Sequence, residues 1–329
     1  MHKGIKSLAA TAAVFGVCIV ALGFVPSQSA GYDYTVGIIQ LVRHDALDAA
    51  TEGFTDRLTE LMGEAGKTIK IDYQNAQNDT VNCSVIANNF VAKEYDLIMS
   101  NATVALQAAY NATENIPVLG TSVTVYDVAL SLDDYVAEEG TRTNVSGTSD
   151  LAPLSEQAQM IGELVPDARK VGLLYCSAEP NSRFQVDEMV KSLEAMDMGY
   201  ECTLYSFSDS NDLQSVVQRM AAESEVIYLP TDNTVASNTA LIDNVCRPLG
   251  IPIIAGEEGI CSGCGIATLS ISYYNLGAIT AEMAAEILLE GADVSTMPVR
   301  YDENPVRKYN AEICEELGIT IPEGYAPIE

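Results

Sequence analysis

The side chains best suited to bind a small ligand follow the apolar, β-branched runs of this sequence, at the point where each run ends. In the first half these polar residues are Gln40, His44, Asn101, Thr103 and Ser122. In the second half they are Glu179, Thr231, Asp232, Asn233 and Glu258, with Asp150 and Tyr273 near the junctions between the halves. Single polar loop residues are usually turn or helix-capping residues. The prediction of a site therefore rests on the convergence of the whole set.

Nucleophilic catalysis has little support in the sequence. His44 is the single histidine beyond residue 30, so a Cys176–His44 pair is the one arrangement of nucleophile and base that we consider. The G-x-G-x-x-G, P-loop and G-x-S-x-G motifs are absent. We therefore expect that the protein is not an enzyme and has no cofactor. We expect His44 to contact a ligand or to lie in a loop.

Seven cysteines follow residue 30, and two of them form a C-x-x-C pair, Cys261 and Cys264. A structural zinc site needs a second such pair or nearby histidines, and neither occurs, so we expect no metal. An odd number of cysteines leaves at least one thiol free if all pairing is internal. Either a local disulfide between Cys261 and Cys264 or two ordinary thiols agrees with this pattern.

Charge excludes one large class of function. The 329 residues contain 17 basic and 46 acidic side chains, which gives a net charge of −29. Such a charge repels phosphate backbones, so nucleic-acid binding is not expected. The acidic residues are scattered along the chain, which is typical of a solvated surface.

The first thirty residues have the pattern of a signal peptide. Lys3 and Lys6 precede an apolar run from Leu8 to Val25, and the small residues Ser27, Ser29 and Ala30 follow it. An uncleaved membrane anchor is the alternative, since the run approaches the ~20 residues that span a bilayer. We expect residues 1–30 to be removed on export to the cell surface or periplasm.

Beyond residue 30, short β-rich runs alternate with helical stretches, which is the pattern of parallel α/β sheets. The two halves also repeat each other. Val36-Gly37-Ile38-Ile39 matches Val171-Gly172-Leu173-Leu174, and Ile116-Pro117-Val118 matches Ile251-Pro252-Ile253, both at an offset of 135 residues. Two similar α/β lobes are therefore predicted, with a junction near residues 146–150.

Two lobes of this kind can form one binding site between them. Ligands of open α/β sheets bind beyond the carboxyl ends of the strands, so two facing lobes direct both sets of polar strand ends into one cleft. The cleft is expected to close on a small polar ligand.

Several stretches resemble a known family, the ABC-transporter substrate-binding proteins that include tryptophan- and other aromatic-amino-acid-binding lipoproteins. The similar stretches are residues 37–48 (GIIQLVRHDALD), 71–77 (IDYQNAQ), 145–150 (VSGTSD), 228–235 (YLPTDNTV) and 317–322 (LGITIP). The resemblance covers almost the whole chain beyond residue 30. It implies a type I periplasmic-binding-protein fold, with two doubly wound parallel-sheet lobes joined by a three-strand hinge. With such a hinge, lobe 1 is expected to comprise residues 31–148 and 271–297, and lobe 2 residues 149–270 and 298–329. It also implies a monomer that delivers its ligand to an ABC permease and ATPase.

The chain departs from the family in two places. No lipobox surrounds Cys18, although many members are lipid-anchored. After the fourth strand the family usually has Thr-Asp-Pro or Thr-Asp-Tyr, whereas this chain has Thr124-Val125-Tyr126-Asp127 and then an acidic stretch. This loop borders the expected pocket, so the ligand can differ from the family's usual one.

The resemblance implies an amino-acid ligand, preferably an aromatic one. Asp232 is the first candidate to bind the ammonium group, with Glu258 and Asp150 as the next candidates. The alternative for Asp232 is a helix N-cap.

The other polar residues have expected roles around the same ligand. Asn101, Thr103 and Ser122 could bind its carboxylate, and Tyr273 and His44 could flank its ring. A sugar or purine ligand, and a receptor subunit of a signalling protein, remain the alternatives.

Overall fold

The computed structural model describes residues 31–302 and 304–328. The expected signal segment and its cleavage site lie outside the described residues. Residues 32–302 and 304–328 belong to one compact unit. Within residues 31–302 and 304–328, no helix is both long and apolar enough to cross a membrane.

The described chain contains thirteen strands in two sheets. Their bounds are β1 (Tyr34–Gln40), β2 (Ile69–Asn75), β3 (Leu97–Asn101), β4 (Val118–Val123), β5 (Val145–Ser149), β6 (Lys170–Cys176), β7 (Glu201–Phe207), β8 (Val226–Leu229), β9 (Ile253–Ala255), β10 (Ala267–Ser270), β11 (Arg300–Tyr301), β12 (Val306–Tyr309) and β13 (Ala326–Pro327). The first sheet has the order β11-β5-β4-β3-β1-β2 and the second β13-β12-β10-β9-β8-β6-β7. Every pairing is parallel except that of β10 with β12.

Twelve α-helices accompany the sheets in the same part of the chain. Their bounds are α1 (Asp45–Glu64), α2 (Thr80–Ala92), α3 (Thr103–Ala112), α4 (Tyr126–Leu130), α5 (Leu154–Leu164), α6 (Pro180–Ala195), α7 (Ser210–Glu223), α8 (Asn233–Ala236), α9 (Thr239–Cys246), α10 (Glu258–Cys264), α11 (Tyr273–Ala285) and α12 (Ala311–Leu317). The α/β class, the two lobes and the type I periplasmic-binding-protein fold predicted from the sequence are confirmed.

The internal repeat falls on equivalent strands. The first matching pair lies in β1 and β6, and the second begins β4 and β9. In β1, Val36 and Ile38 pack in one core cluster while Ile39 packs in another, because successive side chains of a strand point to opposite faces. Helices thus cover both faces of the sheet, as expected for a parallel sheet.

The chain passes between the sheets three times: after β5, after β10, and between β11 and β12. One expected boundary is wrong in position. We expected lobe 2 to resume at residue 298, but Arg300 and Tyr301 pair with Thr148 and Ser149 in the first sheet. The third crossover therefore lies between Tyr301 and Val306, because β11 adds an edge strand to lobe 1.

The longest helix of lobe 1 is held against the helix that follows the second crossover. Helices α1 and α11 approach until their backbones touch, because glycines lie at the contact. A Cβ atom on Gly53 would lie 2.0 Å from the Tyr274 carbonyl oxygen, and one on Gly277 would lie 2.0 Å from the Ala50 carbonyl oxygen. No larger residue fits at either position without moving a helix.

Candidate ligand-binding site between the lobes

A small cavity lies between the two lobes, at the carboxyl ends of their strands. It has about 10 Å³ of room for the centre of a water molecule, which is about enough for one water. Its walls are His44, Leu47, Ser122, Asp150, Asn181, Thr231, Asp232, Asn233, Ala236, Glu257 and Tyr273. The lobes are therefore closed on a site to which both contribute.

The structure brings part of the predicted set to this cavity. The predicted residues that line it are His44, Ser122, Asp150, Thr231, Asp232, Asn233 and Tyr273. The predicted residues that do not line it are Gln40, Asn101, Thr103, Glu179 and Glu258. Asn181 and Glu257 line the cavity but were not among the predicted site residues. Glu257 followed a predicted strand directly, whereas nothing in the sequence marked Asn181 within its helix.

Asp150 carries the clearest unmet bonding capacity in the cavity. Its side chain is buried, and Oδ2 accepts a hydrogen bond of 3.0 Å from the Tyr273 hydroxyl. Oδ1 makes no hydrogen bond of acceptable geometry within the described residues. Burial raises the pKa of Asp150, and the neighbouring hydroxyls of Thr124 and Tyr273 oppose that shift. A buried carboxylate oxygen without a donor is costly, so a cationic donor entering the cavity would bind well here.

Asp232 differs from Asp150 because both of its carboxylate oxygens already accept hydrogen bonds. Oδ1 accepts from the backbone N–H of Val235, and Oδ2 accepts from the N–H of Cys176 at 2.8 Å and the Ser182 hydroxyl at 2.6 Å. Asp232 is the N-cap of α8. Burial and the nearby carboxylate of Glu179 raise its pKa. Its geometry thus matches the capping alternative for this residue.

Glu257 is a second capping carboxylate on the wall of the cavity. Its two oxygens accept from the backbone N–H groups of Gly259 and Ile260, at 2.6 and 2.5 Å. Burial raises its pKa to about 7. Asp150, Asp232 and Glu257 bring three acidic side chains to the cavity, and no lysine or arginine lies among its described wall residues. A positively charged group would be favoured in this cavity.

The ends of β3 and β4 supply a strained backbone beside these carboxylates. Ala102 has φ of 93° and Ser122 has φ of 53°, which are unusual values for residues other than glycine. The pairing of β4 with β5 is irregular between Gly120 and Val123, so a bulge turns Ser122 out of the regular strand. The Ser122 hydroxyl is buried and has no hydrogen-bond partner among the described residues. Strain of this kind is found mostly at functional sites.

Two hydrogen bonds join the lobes directly beside the cavity. His44 Nε2 lies 3.2 Å from Asn233 Oδ1, and Asn78 Nδ2 donates to Thr234 Oγ1 at 3.2 Å. Glu179 fixes the two residues of lobe 2 in these contacts. Its carboxylate accepts hydrogen bonds from the backbone N–H groups and from the side chains of Asn233 and Thr234. Burial lowers the pKa of His44. Glu179 therefore positions the contact between the lobes and does not line the cavity.

Two more predicted site residues, Gln40 and Asn101, make hydrogen bonds within lobe 1. Gln40 Nε2 donates to the Val42 carbonyl and to Asp48, and Asn101 Nδ2 donates to the Leu47 carbonyl at 2.7 Å. These amides fix the loop and helix that carry His44. The Asn101 Oδ1 and Thr103 Oγ1 atoms are buried without partners among the described residues.

Glu258 lies in a larger neighbouring cavity of about 540 Å³. Its carboxylate pairs with Lys308 Nζ at 2.7 Å and accepts from the Ser270 hydroxyl. The charge of Glu258 is therefore already balanced within lobe 2. Glu258 could bind the ammonium of a ligand only by giving up its ion pair with Lys308.

All seven cysteines of the described chain are thiols, including Cys261 and Cys264 in α10. The disulfide alternative does not occur in this structure. Burial and the carboxylates of Asp232 and Glu179 raise the pKa of Cys176 to about 12, which disfavours the thiolate that a nucleophile requires. No cluster of three or more metal-ligating side chains is present among the described residues.

Comparison with known proteins identifies the family. The chain matches the ABC transporter substrate binding protein family over residues 35–326, and it belongs to that family. The family implies a small-molecule ligand and an ABC transporter as partner. The predicted resemblance is thereby confirmed.

Three individual proteins are similar to this chain. A tyrosine-binding protein of Clostridioides difficile is 38% identical over 264 residues, covering 80% of this chain and 75% of that protein. A domain from Streptococcus pneumoniae solved in complex with L-Trp has a TM-score of 0.83 at 30% identity, covering 90% of this chain and 99% of that one. The ligand-free, open structure of a substrate-binding protein with adhesive properties from Clostridium difficile has a TM-score of 0.68 at 35% identity, with the same coverage.

Proposed function

We propose that this protein binds an α-amino acid, with an aromatic one preferred, in the cavity between its lobes and delivers it to an ABC importer. The observation that carries the proposal is the buried Oδ1 of Asp150, which makes no hydrogen bond of acceptable geometry to the described residues and lies in a cavity with three acidic side chains in its wall. An ammonium group supplies both the missing donor and the missing positive charge. Asp150 therefore replaces Asp232 as the residue assigned to the ammonium.

The carboxylate of the amino acid belongs at the ends of β3 and β4. Ser122 offers a hydroxyl that has no partner among the described residues, and its left-handed backbone alters the direction of the neighbouring N–H groups. Asn101 and Thr103 lie at the start of α3, where a helix N-terminus favours negative charge. Tyr273 and His44 lie on the cavity wall and could flank an aromatic ring. The tyrosine- and tryptophan-binding relatives support an aromatic side chain.

The lobe arrangement supports binding by closure. The chain is more identical to the open, ligand-free protein, at 35%, than to the domain complexed with L-Trp, at 30%, yet it superposes better on the complexed domain. Sequence divergence cannot explain why the more identical protein superposes less well. We attribute the difference in TM-score to the relative position of the lobes. A ligand that contacts both lobes favours such a closed form by its differential affinity.

Calorimetry with the twenty amino acids tests the proposal, with the deaminated and decarboxylated analogues of the best ligand as controls. We expect an aromatic amino acid to bind and both analogues to bind more weakly, because each lacks one of the two charged groups. Binding of a sugar or purine, with no amino acid bound, would refute the amino-acid assignment. Solution scattering should show a smaller radius of gyration with ligand, and no compaction at saturation would contradict closure.

The remaining parts of the proposal concern location and chemistry. We propose export with removal of residues 1–30, on the basic start, the apolar run and the small residues that end it. Mass spectrometry of protein from its native host tests this, and an intact Met1 would contradict it. We also propose that the protein binds without catalysis, which an unchanged ligand recovered after prolonged incubation would support.

A further inference from the structure

Two adjacent helices of lobe 1 differ in charge from the rest of the molecule. Helices α2 and α3 contain 23 residues and no charged side chain. A chain with 19% charged residues would place about four charges in a segment of that length. Every other described helix of ten or more residues carries at least one charged residue.

The absence of charge on α2 is not explained by burial. Val81 and Val85 are 70% and 62% exposed, and they lie four residues apart on the same face of the helix. The neighbouring exposed residues are amides, namely Asn82, Asn88 and Asn89. An exposed helix with valine and asparagine on its outer face is unusual in a protein whose net charge is −29.

A groove of about 350 Å³ adjoins this face, between α2, α3 and the end of α4. Its lining residues, all uncharged, are Thr80, Ser84, Val104, Gln107, Ala108, Tyr110, Asn111, Ala129, Leu130 and Ser131. The exposed outer face of α2 and this groove together are called the uncharged surface below. It combines apolar and hydrogen-bonding groups, as the centres of protein interfaces do.

The uncharged surface also adjoins the line along which the lobes meet. Asn78, two residues before α2, donates the hydrogen bond to Thr234 of lobe 2. Helix α4, whose end lines the groove, packs against α6 of lobe 2. A partner bound here therefore lies beside lobe 2 when the lobes are closed, and its contacts with lobe 2 change when they open.

We propose that the uncharged surface is where the permease of the ABC transporter docks, through an uncharged surface of its own. The inference rests on the proposed function. Its position beside the lobe junction supports this occupant, since a partner bound there contacts lobe 2 differently in the closed and open forms. A stable dimer is the poorer explanation, because it requires about 1,200 Å² or more of buried surface. Val81 and Val85 supply only a small apolar centre, which suits a transient encounter.

Site-specific cross-linking in intact cells tests the location without knowledge of the ligand. Val85→Cys labelled with a benzophenone maleimide should yield an adduct with the permease subunit, identified by mass spectrometry. Leu249→Cys is the matched control, since Leu249 is 58% exposed on lobe 2. An adduct with a second copy of this chain would overturn the proposal, as would a permease adduct no stronger than that of the control.

Transport then tests the requirement for an uncharged surface. Val85→Glu and Val85→Lys should each reduce uptake of the labelled amino acid about tenfold or more, because either charge would be left unpaired at the contact. Val85→Thr, which keeps the shape without a charge, should retain most of the uptake. Uptake unchanged by both charged variants would refute the proposal.

Affinity measured on the same proteins separates the two hypotheses. The charged variants and Leu249→Glu should bind the amino acid within about twofold of wild type, because Val85 is remote from the cavity wall. If wild type binds no amino acid, the proposed function fails, while the cross-link to the permease still decides the docking site. If Val85→Glu loses ligand affinity in parallel with uptake, docking is not the cause and the proposal is wrong.

Discussion

Replacing Asp150 by asparagine should weaken ligand binding without weakening the fold. The substitution keeps the shape of the side chain and an oxygen that can accept the 3.0 Å hydrogen bond from Tyr273, but it removes the negative charge. A hydrogen bond to a charged group contributes about 1.5–3 kcal/mol. The dissociation constant of the amino acid should therefore rise about 10- to 150-fold.

The same substitution should leave the stability of the ligand-free protein unchanged or increase it. Burial raises the pKa of Asp150, so its charged form is disfavoured in the folded protein. Removing a buried charge that lacks a partner relieves that cost. Urea unfolding of ligand-free Asp150→Asn should give a free energy of unfolding equal to or above that of wild type.

The deaminated analogue of the ligand completes the test. Wild type should bind the amino acid more tightly than the analogue, whereas Asp150→Asn should discriminate little between them. Such a cycle isolates the contact between Asp150 and the ammonium. If Asp150→Asn binds the amino acid as tightly as wild type, or discriminates equally well, the assignment of the ammonium to Asp150 is refuted.

Three further predictions concern the other buried groups. Asp232→Asn should lower the free energy of unfolding by about 1–3 kcal/mol, because an amide would face donors that now bind a carboxylate, and it should leave ligand affinity nearly intact; a large loss of affinity in calorimetry would contradict this. Glu257, with a pKa raised to about 7, keeps its proton in the folded protein over a range in which an unfolded glutamate, with a pKa of about 4.3, has lost it. Urea unfolding of the ligand-free protein should therefore show a stability that falls as pH rises from about 4.5 to 7, while affinity for the ammonium group of the ligand rises; a flat stability profile would count against the burial of Glu257. Thiol titration of the denatured, unreduced mature protein should give seven free thiols, and five would indicate a disulfide.

The fold could be predicted because its strands and helices have local sequence patterns and because the two lobes repeat each other in sequence. The match of Val36–Ile39 with residues 171–174 marks β1 and β6, and the Leu47, Ala50 and Phe54 stripe marks α1. The short strand β11 could not be predicted in the same way. Its two residues have no periodicity, and their place at the edge of lobe 1 depends on pairing with β5. Long-range pairing decided that boundary.

The candidate site was predictable only as a set of strand ends. The sequence placed Asp232 ahead of Asp150, although each residue follows a strand and precedes a helix. The difference lies in the hydrogen-bond partners: Asp232 accepts from the N–H groups of Cys176 and Val235, whereas Asp150 Oδ1 makes no hydrogen bond of acceptable geometry to the described residues. Those partners come from a strand and a helix that the fold brings together. Ranking therefore required the three-dimensional structure.

The backbone contact between α1 and α11 determines how opening can be observed. Because Gly53 and Gly277 leave no space between the helices, the pair should move as one stiff body, and bending should be confined to the three crossovers. A single fluorescent label on the exposed face of α1 would then report the motion of the whole lobe. Paired with a label on lobe 2, it would convert ligand capture into a distance signal. The protein is thus a natural scaffold for an optical amino-acid sensor.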